Sequence, residues 1–558
     1  MNKTWTIYPP VPLDFQVTIE APEIIAQLLF NRGITDNFQI VEFLQSSSPD
    51  YHDPMLLPGM HKAVNRIKEA LTSKHPVGVF GDFDVDGVTA TAIISAGLGQ
   101  LGIEIIPYIP DRLTEGHGLN YDAIQSLNKS GAKLIITVDC GITSHKEVEM
   151  ASELGIDVII TDHHMPPPLL PNALAVVDPK VEDSIYPFSE LTGAGLAFKL
   201  IQGFYNYLGV RMPNTVVGLA ALGTVADMAP ILGENRTIVK NGLNELENTS
   251  SLGLQALFQK ANIFGAPLTS ETISFKIAPR LNASGRLQHA ISSYDLLTTS
   301  SSEEAEALAV TLENFNLNRR TLTDTLYLIA QEKARLLGKN APIILISDPN
   351  FSPGIAGLLA SKLTNEFHKP AIVMSHEQNL MRASGRSIPG FNLISALYKC
   401  EDLFTKYGGH PMAAGFTIDA NNLPVLKKRM TNIAETMIRD LPANPMLKID
   451  VEVNPSRLIG DIYNWLQSFE PFGVGNPTPV FLAKNVEILK AWSVGSNAQH
   501  TRLKINDGVS TWDGIAFGYL LDNISGRYQD LVYSLLVNNW RGKKALNLKV
   551  LDLKPSNK

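Results

Sequence analysis

Between Pro76 and about Pro179 the chain alternates short apolar runs with longer helical stretches. Val77-Gly78-Val79-Phe80 predicts a strand, Val88 to Leu101 a buried helix rich in Ala, Ile and small residues, and Ile103 to Ile109 the next strand. Tyr121 to Ser130 predicts a helix stopped by Gly131, Lys133 to Val138 a strand, and Ser144 to Leu154 a helix closed by Gly155. Asp157 to Thr161 and Ala173 to Val177 predict two more strands. This βαβ repetition predicts a mostly parallel sheet. Sheets of that kind collect ligands outside the carboxyl ends of their strands.

Gly193 to about Leu337 reads as mainly helical, with Glu303 to Leu337 forming one long helix or two joined ones. A second, smaller α/β unit opens at Pro342-Ile343-Ile344-Leu345-Ile346, with a helix at Ile355 to Leu363 and another strand at Ala371-Ile372-Val373-Met374. Pro442-Ala443-Asn444-Pro445 reads as a linker. After it, short strand-like runs and turn signals at Asn506-Asp507-Gly508 and Asp513-Gly514 predict an all-β module, a small barrel.

Three of the strands end in metal-liking side chains: Asp82, Asp84 and Asp86 after the first, Asp139 after Val138, and Asp162-His163-His164 after Thr161. Asp227, among Ala, Leu, Gly and Val, adds a fourth cluster and reads as buried. Six carboxylates and two imidazoles brought together repel one another unless cations sit between them. If Asp82 to Asp86 is extended, its alternate carboxylates share one face. An EF-hand loop is excluded, because its twelfth position needs Glu and here holds Ile93. Asp/His ligation without cysteine suits manganese, magnesium or hydrolytic zinc, and the set suits two ions about 4 Å apart. Cys140, beside Asp139, reads as a small packing residue.

The 558-residue length calls for several domains. Only two cysteines occur, Cys140 and Cys400, so a disulfide framework is out and a reducing cytoplasm is expected. No apolar run reaches membrane-spanning length, and the start carries no signal-peptide pattern. The net charge of −8 argues mildly against nucleic acid, but the metal-liking carboxylates contribute to it. From Phe481 to Lys558, eleven Lys/Arg face six Asp/Glu. There Trp492, Arg502, Lys504, Trp512, Phe517, Tyr519, Trp540, Arg541, Lys543 and Lys544 interleave aromatics with cations, a pattern suited to stacking single-strand bases. About half of those aromatics are expected to fill the barrel core instead.

Asp82-Phe83-Asp84-Val85-Asp86-Gly87, Val138-Asp139-Cys140-Gly141, Asp162-His163-His164 and Val225-Ala226-Asp227 resemble, in order, the motifs of the DHH phosphoesterase superfamily. Tyr407-Gly408-Gly409-His410-Pro411-Met412-Ala413-Ala414-Gly415 resembles the signature of its DHHA1 substrate-binding domain. The length, Arg280-Leu281-Asn282-Ala283-Ser284-Gly285-Arg286, and Phe469-Glu470-Pro471-Phe472-Gly473 with Gly475-Asn476-Pro477 resemble the branch that digests single-stranded DNA from its 5′ end. The resemblance implies an α/β fold: an N-terminal region at 1–75 packing on a parallel-sheet DHH catalytic domain at 76–235, a helical connector at 236–340, a DHHA1 domain at 341–442 and an OB-like nucleic-acid-binding domain at 446–558. Asp84, Asp86, Asp139, His163 and Asp227 would then hold two ions, Mn2+ or Mg2+, with Asp139 bridging. Asp82 and Asp162 would be ligands or orienters of ligands, and His164 would stand near the scissile phosphate.

The strand's phosphates would be gripped by Arg280, Asn282 and Arg286 on a turn of small residues, by Arg112, by the loop holding Ser384 and Arg386, and by Gly408, Gly409 and His410. The implied enzyme is a monomeric exodeoxyribonuclease of DNA repair and recombination, working with single-stranded DNA, a helicase and a single-strand binding protein. Two rivals stand beside it. One is a relative acting on short oligonucleotides, cyclic dinucleotides or pyrophosphate, which the C-terminal module argues against. The other is a non-catalytic single-strand-binding scaffold, which the complete ligand set argues against.

Overall fold

In a computed structural model of the chain, residues 3–556 are described, apart from 19, 45–50, 113, 266, 443, 496, 525, 541 and 542. The chain divides into two compact units. One is Asp50–Leu441; the other joins Met1–Pro49 to Pro442–Lys558.

The first unit holds the expected parallel sheet. Its strands run in the spatial order Ile105–Tyr108, Val77–Gly81, Leu134–Val138, Asp157–Thr161 and Ala175–Val177. Side chains alternate between two packed faces, as a pleated strand requires. Val77, Val79, Leu134, Ile136 and Ile159 pack with Met60, Ile67, Ile94, Leu98, Phe198 and Ile201 from the helices Met60–Ser73, Val85–Gln100 and Gly193–Leu208. Phe80, Ile135, Val158 and Ile160 pack with Ile124, Leu127, Val148 and Ala151 from the helices Tyr121–Lys129 and His145–Glu153. Burial of each such aliphatic side chain contributes roughly 1.5–3 kcal/mol. Cys140 is buried in the second cluster, and burial pushes its thiol well up, in keeping with a packing role.

The helical stretch follows, ending in one uninterrupted helix, Ser302–Leu336, started by the Ser301 hydroxyl accepting from the Glu304 N–H. The smaller α/β part is a mixed sheet in the order Phe404–His410, Ala413–Asp419, Leu380–Arg386, Ala371–Glu377 and Ile344–Asp348. Only the last two strands are parallel to each other. Ser384 and Arg386 therefore lie on a strand and not in a loop.

In the second unit, strands Phe481–Val494, His500–Asn506, Thr511–Ala516, Lys543–Pro555 and Tyr528–Trp540 follow one another, and the last pairs back to the first, closing a barrel. Residues expected to pack on the catalytic domain belong here instead. Thr4–Ile7 runs parallel to Met446–Ile449, and Ile25, Leu28, Leu29, Ile40 and Phe43 share a core with Leu466, Phe469, Phe481 and Tyr533. Among the described residues of 1–75, the later part, from Tyr51 through the helix Met60–Ser73, shares the core of the parallel sheet. The apolar face of Glu23–Asn31 shows that this helix must be covered, but a stripe of Ile and Leu does not say by which core.

Among the cation and aromatic positions of the tail, Trp512 is buried in the barrel while Arg502 and Phe517 are exposed. Lys504 pairs with Asp513 at 3.1 Å. Arg541 and the side chains of Trp540, Lys543 and Lys544 lie outside the described residues.

Candidate metal centre

Sheet register places the site. Gly81, Val138, Thr161 and Val177 stand side by side across four neighbouring strands. The next residue of each is an aspartate: Asp82, Asp139, Asp162 and Asp178. Parallel strands cut off at one level thus deliver four carboxylates to one edge.

The segment after Gly81 is not extended. Asp84 caps the helix Val85–Gln100, its Oδ1 accepting from the Asp86 and Gly87 N–H groups at 2.9 and 3.2 Å. Asp86 then lies in the first helical turn and accepts from the Gly193 and Ala194 N–H groups at 2.7 and 2.9 Å, so it caps a second helix. Asp139 takes a left-handed backbone, φ 61°, which turns its carboxylate into the cluster. Asp227 closes the end of the helix Thr215–Ala226 and is half-buried, less covered than its apolar neighbours suggested.

Two glycines make this convergence possible. A Cβ on Gly193 would lie 2.4 Å from Asp139 Cβ, and one on Gly223 would lie 2.7 Å from an Asp86 carboxylate oxygen. Both helices approach the aspartates more closely than any side chain would allow.

Ligand-type atoms gather within 4.8 Å of one another in three overlapping groups: Asp139, His163 and His164; Asp86, His163 and Asp227; Asp82, Asp84 and Asp139. His163 Nε2 lies 3.0 Å from Asp139 Oδ1 and 3.9 Å from Asp86 Oδ2. Burial, then the Asp84 charge, pushes Asp86 up to about 7. Burial, then Asp86 and Asp84, pushes Asp227 up to about 8. Burial also holds Asp139 well above the carboxylate range, with Asp86 next in effect. Crowded carboxylates that would rather hold protons are a fit for divalent cations, which relieve the same repulsion. His163 is pushed down to about 3 by burial and by the His164 charge, leaving a neutral imidazole suited to ligation.

Asp162 stands apart from those groups. Its Oδ1 accepts from the His163 and His164 N–H groups and lies 2.7 Å from His164 Nδ1, while Oδ2 accepts from Ile142 N–H at 2.9 Å. Burial alone would raise it, but these bonds, led by His164, bring it down to about 2. Its lone pairs are spent on the Ile142 and His163 N–H groups and on the backbone and ring of His164. The His164 ring is in turn raised by its bond to Asp162, against the effect of burial.

Facing the metal-type cluster is a group of guanidiniums. Burial lowers Arg286 to about 9, helped by the nearby charges of Arg112, Arg319 and Arg386. Arg286 Nη1 donates to Gly354 O at 3.1 Å, at the start of the helix Pro353–Phe367. Arg112 lies over the Phe83 ring, 4.9 Å from its centroid, and Arg386 Nη1 lies 3.3 Å from Ser384 Oγ. Arg280 is elsewhere: Nε is 2.5 Å from Glu313 Oε2 on the long helix.

The expected turn at 280–286 is in fact part of the helix Ala278–Leu287, and six residues along a helix separate two side chains by about 120° of rotation. Asn282 is half-buried on the same helix. The small residues serve contact, since a Cβ on Gly285 would lie 2.7 Å from Phe83 O. Gly408, Gly409 and the exposed His410 form the end of an edge strand, and Gly409 takes φ 140° with no room for a Cβ beside Ala413 and Ala414. His410 is lowered first by burial and then by the charges of His164 and Lys180.

Sequence reasoning missed four residues of this site. His117 Nδ1 lies 3.0 Å from Asp82 Oδ1, carried by a loop whose Gly116 and Gly118 have positive φ. Lys180 donates from Nζ to His163 O at 2.7 Å. Arg319 joins the guanidiniums from the long helix, with its Nε buried and unpartnered among the described residues. Asp178 completes the row of strand ends. Only its place after a strand signalled it.

Family models match the chain as the DHH family N-terminal domain over 76–224, the DHHA1 domain over 340–436 and the RecJ OB domain over 449–552. The single-stranded-DNA-specific exonuclease RecJ of Bacillus subtilis is 36% identical over 534 residues, covering 95% of this chain and 67% of that protein. The protein of the same name from Dickeya dadantii is 31% identical, covering 96% of each. The crystal structure of RecJ from Thermus thermophilus in complex with Mn2+ superposes with a TM-score of 0.84 at 29% identity, covering 99% of this chain and 80% of that one. That protein has also been solved in complex with Mg2+.

Proposed function

This chain belongs to the RecJ family of single-stranded-DNA-specific exonucleases, and on that premise we infer that it releases nucleotides from single-stranded DNA by metal-dependent hydrolysis of phosphodiesters. The observation that carries the reading is the set of three metal-type groups, linked one to the next through Asp139 and His163, beside Arg112, Arg286 and Arg386.

Asp82, Asp84, Asp86, Asp139, His163 and Asp227 would hold two divalent cations, Mn2+ or Mg2+, with Asp139 common to both. The chemistry such a pair would supply is a lowered pKa for a water and an offset to the charge on the phosphate. The protein's own groups do the rest. Asp162 holds the His163 backbone and fixes the His164 ring. With Nδ1 committed to Asp162, His164 keeps Nε2 for a phosphate oxygen or for protonating the departing oxygen. Arg112, Arg286, Ser384 and Arg386 grip the 5′-terminal phosphate beside the start of the helix Pro353–Phe367, where the positive end of the helix dipole favours an anion. Gly408, Gly409 and His410 line the opposite wall. A slot between the two α/β parts of this unit would admit one strand and exclude a duplex, and the barrel would add affinity for long strands.

The 5′-to-3′ direction, a monomeric state, and a cytoplasmic role in repair and recombination beside a helicase and a single-strand binding protein belong to the same proposal. Two buried, unpaired cysteines support a reducing compartment, and no helix among the described residues is long and apolar enough to cross a membrane. The test is digestion of long strands labelled at either end, with and without 5′ phosphate, beside duplex and short oligonucleotides. Chelator-sensitive release of the 5′ label from single strands alone is expected. Release from duplex, or from the 3′ end first, would overturn the reading.

A further inference from the structure

We propose that Lys180 holds a non-bridging oxygen of the phosphodiester being cut; the proposal rests on the exonuclease reading and adds a residue to its machinery. Lys180 follows the fourth strand end in the row of aspartates. Asp178 Oδ1 accepts from Lys180 N–H at 2.7 Å, so the chain turns sharply through buried Pro179. The side chain is thereby folded back across the sheet edge, and Nζ reaches the His163 carbonyl at 2.7 Å. His163 is the residue whose Nε2 lies 3.0 Å from Asp139 Oδ1.

An ammonium has three donors. The bond to His163 O occupies one, and among the described residues no carboxylate oxygen forms an ion pair with Lys180, although the Asp178 and Asp227 carboxylates both feel its charge. Its charge is felt by His163 and Asp227 on one side and by His410 of the smaller α/β part on the other. Lys180 is half-buried, held from behind, and keeps two donors for the space those three residues border. A fixed cation beside a site for dications weakens the cations' binding slightly and has no use until a polyanion arrives. A phosphodiester supplies that anion, and its charge grows in the transition state.

The alternative is structural: Lys180 only steadies the His163 carbonyl. Lys180→Gln separates the two, because an amide can still donate to that carbonyl but carries no charge. Lys180→Arg keeps the charge. We would measure kcat and KM on a 5′-phosphorylated strand, Mn2+ binding by calorimetry, and Tm, for parent and both variants. The expected result for Lys180→Gln is a loss of about a hundredfold in kcat. Its KM should stay within about threefold of the parent, with Mn2+ affinity equal or tighter and Tm unchanged. Lys180→Arg should recover at least about a tenth of parental kcat. Near-parental kcat for Lys180→Gln, or Mn2+ affinity falling in step with kcat, overturns the role of Lys180 alone. A parent chain that binds Mn2+ but releases no nucleotide overturns the exonuclease reading and this proposal with it.

Discussion

Asp139 stands against the backbone of Gly193 so closely that a Cβ at 193 would fall 2.4 Å from its own Cβ. The contact fixes the left-handed turn that aims Asp139 into the cluster, and it joins the parallel sheet to the helix Gly193–Leu208. We predict that Gly193→Ala displaces Asp139, destabilises the chain by about 1–3 kcal/mol and weakens Mn2+ binding. Calorimetric titration and thermal melting read both. Unchanged Mn2+ affinity would mean that the close approach is dispensable.

Asp139 and Asp162 lie one strand apart but should behave differently. Asp139 belongs to two of the three ligand groups, and Asp162 to none. Asp139→Ala should abolish turnover and metal binding together. Asp162→Ala should lower turnover by about 10–100-fold through loss of histidine orientation, leaving at least one cation bound. Equal metal loss in both variants would make Asp162 a ligand.

Arg286 and Arg280 share a helix and should separate in kinetics. Arg286→Ala should raise KM more on 5′-phosphorylated than on 5′-hydroxyl strands, because it faces Arg112 and Arg386. Arg280→Ala should act through its ion pair with Glu313, lowering Tm while sparing that preference. A 5′-phosphate preference lost in Arg280→Ala and kept in Arg286→Ala would reverse the assignment.

The metal-free chain should lose stability as pH rises from 6.5 to about 8. Folded Asp86 and Asp227, pushed up to about 7 and about 8, still hold protons there that unfolded carboxylates have released, so unfolding gives up protons and a rising pH favours it. His163 works in the opposite sense, since its folded value is depressed to about 3, but its contribution is complete above the ordinary imidazole value of 6.5. Saturating Mn2+ should abolish the fall by taking the protons' place. Melting curves from pH 6.5 to 8.5, with and without Mn2+, decide it. A metal-free Tm that climbs through this window refutes the account.

Truncation should respect the two units. Residues 50–441 should fold alone and cut short oligonucleotides, with weaker and less salt-dependent binding of long strands. Removing only the tail from Leu447 onward should give a poorly behaved protein. That cut strips the cover from Ile25, Leu28 and Leu29, each worth roughly 1.5–3 kcal/mol when buried. A soluble 1–446 fragment with undiminished Tm would contradict this.

The alternation of apolar runs and helices, the aspartates at strand ends and the Asp-His-His run were legible in the chain, because strand period and strand-end position are local properties. They were enough to predict the parallel sheet, the metal-type cluster and the separate β module. What depended on through-space contact was not legible. The small residues from Ala283 to Gly285 suit a turn or a close helix contact equally, and only packing against Phe83 selected the helix, sending Arg280 to Glu313 and Arg286 to the guanidinium group. An amphipathic helix at Glu23–Asn31 demands a partner without naming it. Whether an aspartate is a ligand or an orienter depends on which donors surround it, and for Asp162 those donors come from three separate residues. Lys180 and His117 sit in ordinary loop sequence and gain meaning only where the register of four strands and one turn carries them. Local periodicity is written along the chain, whereas side-chain neighbourhoods are set by the packing of elements far apart in sequence.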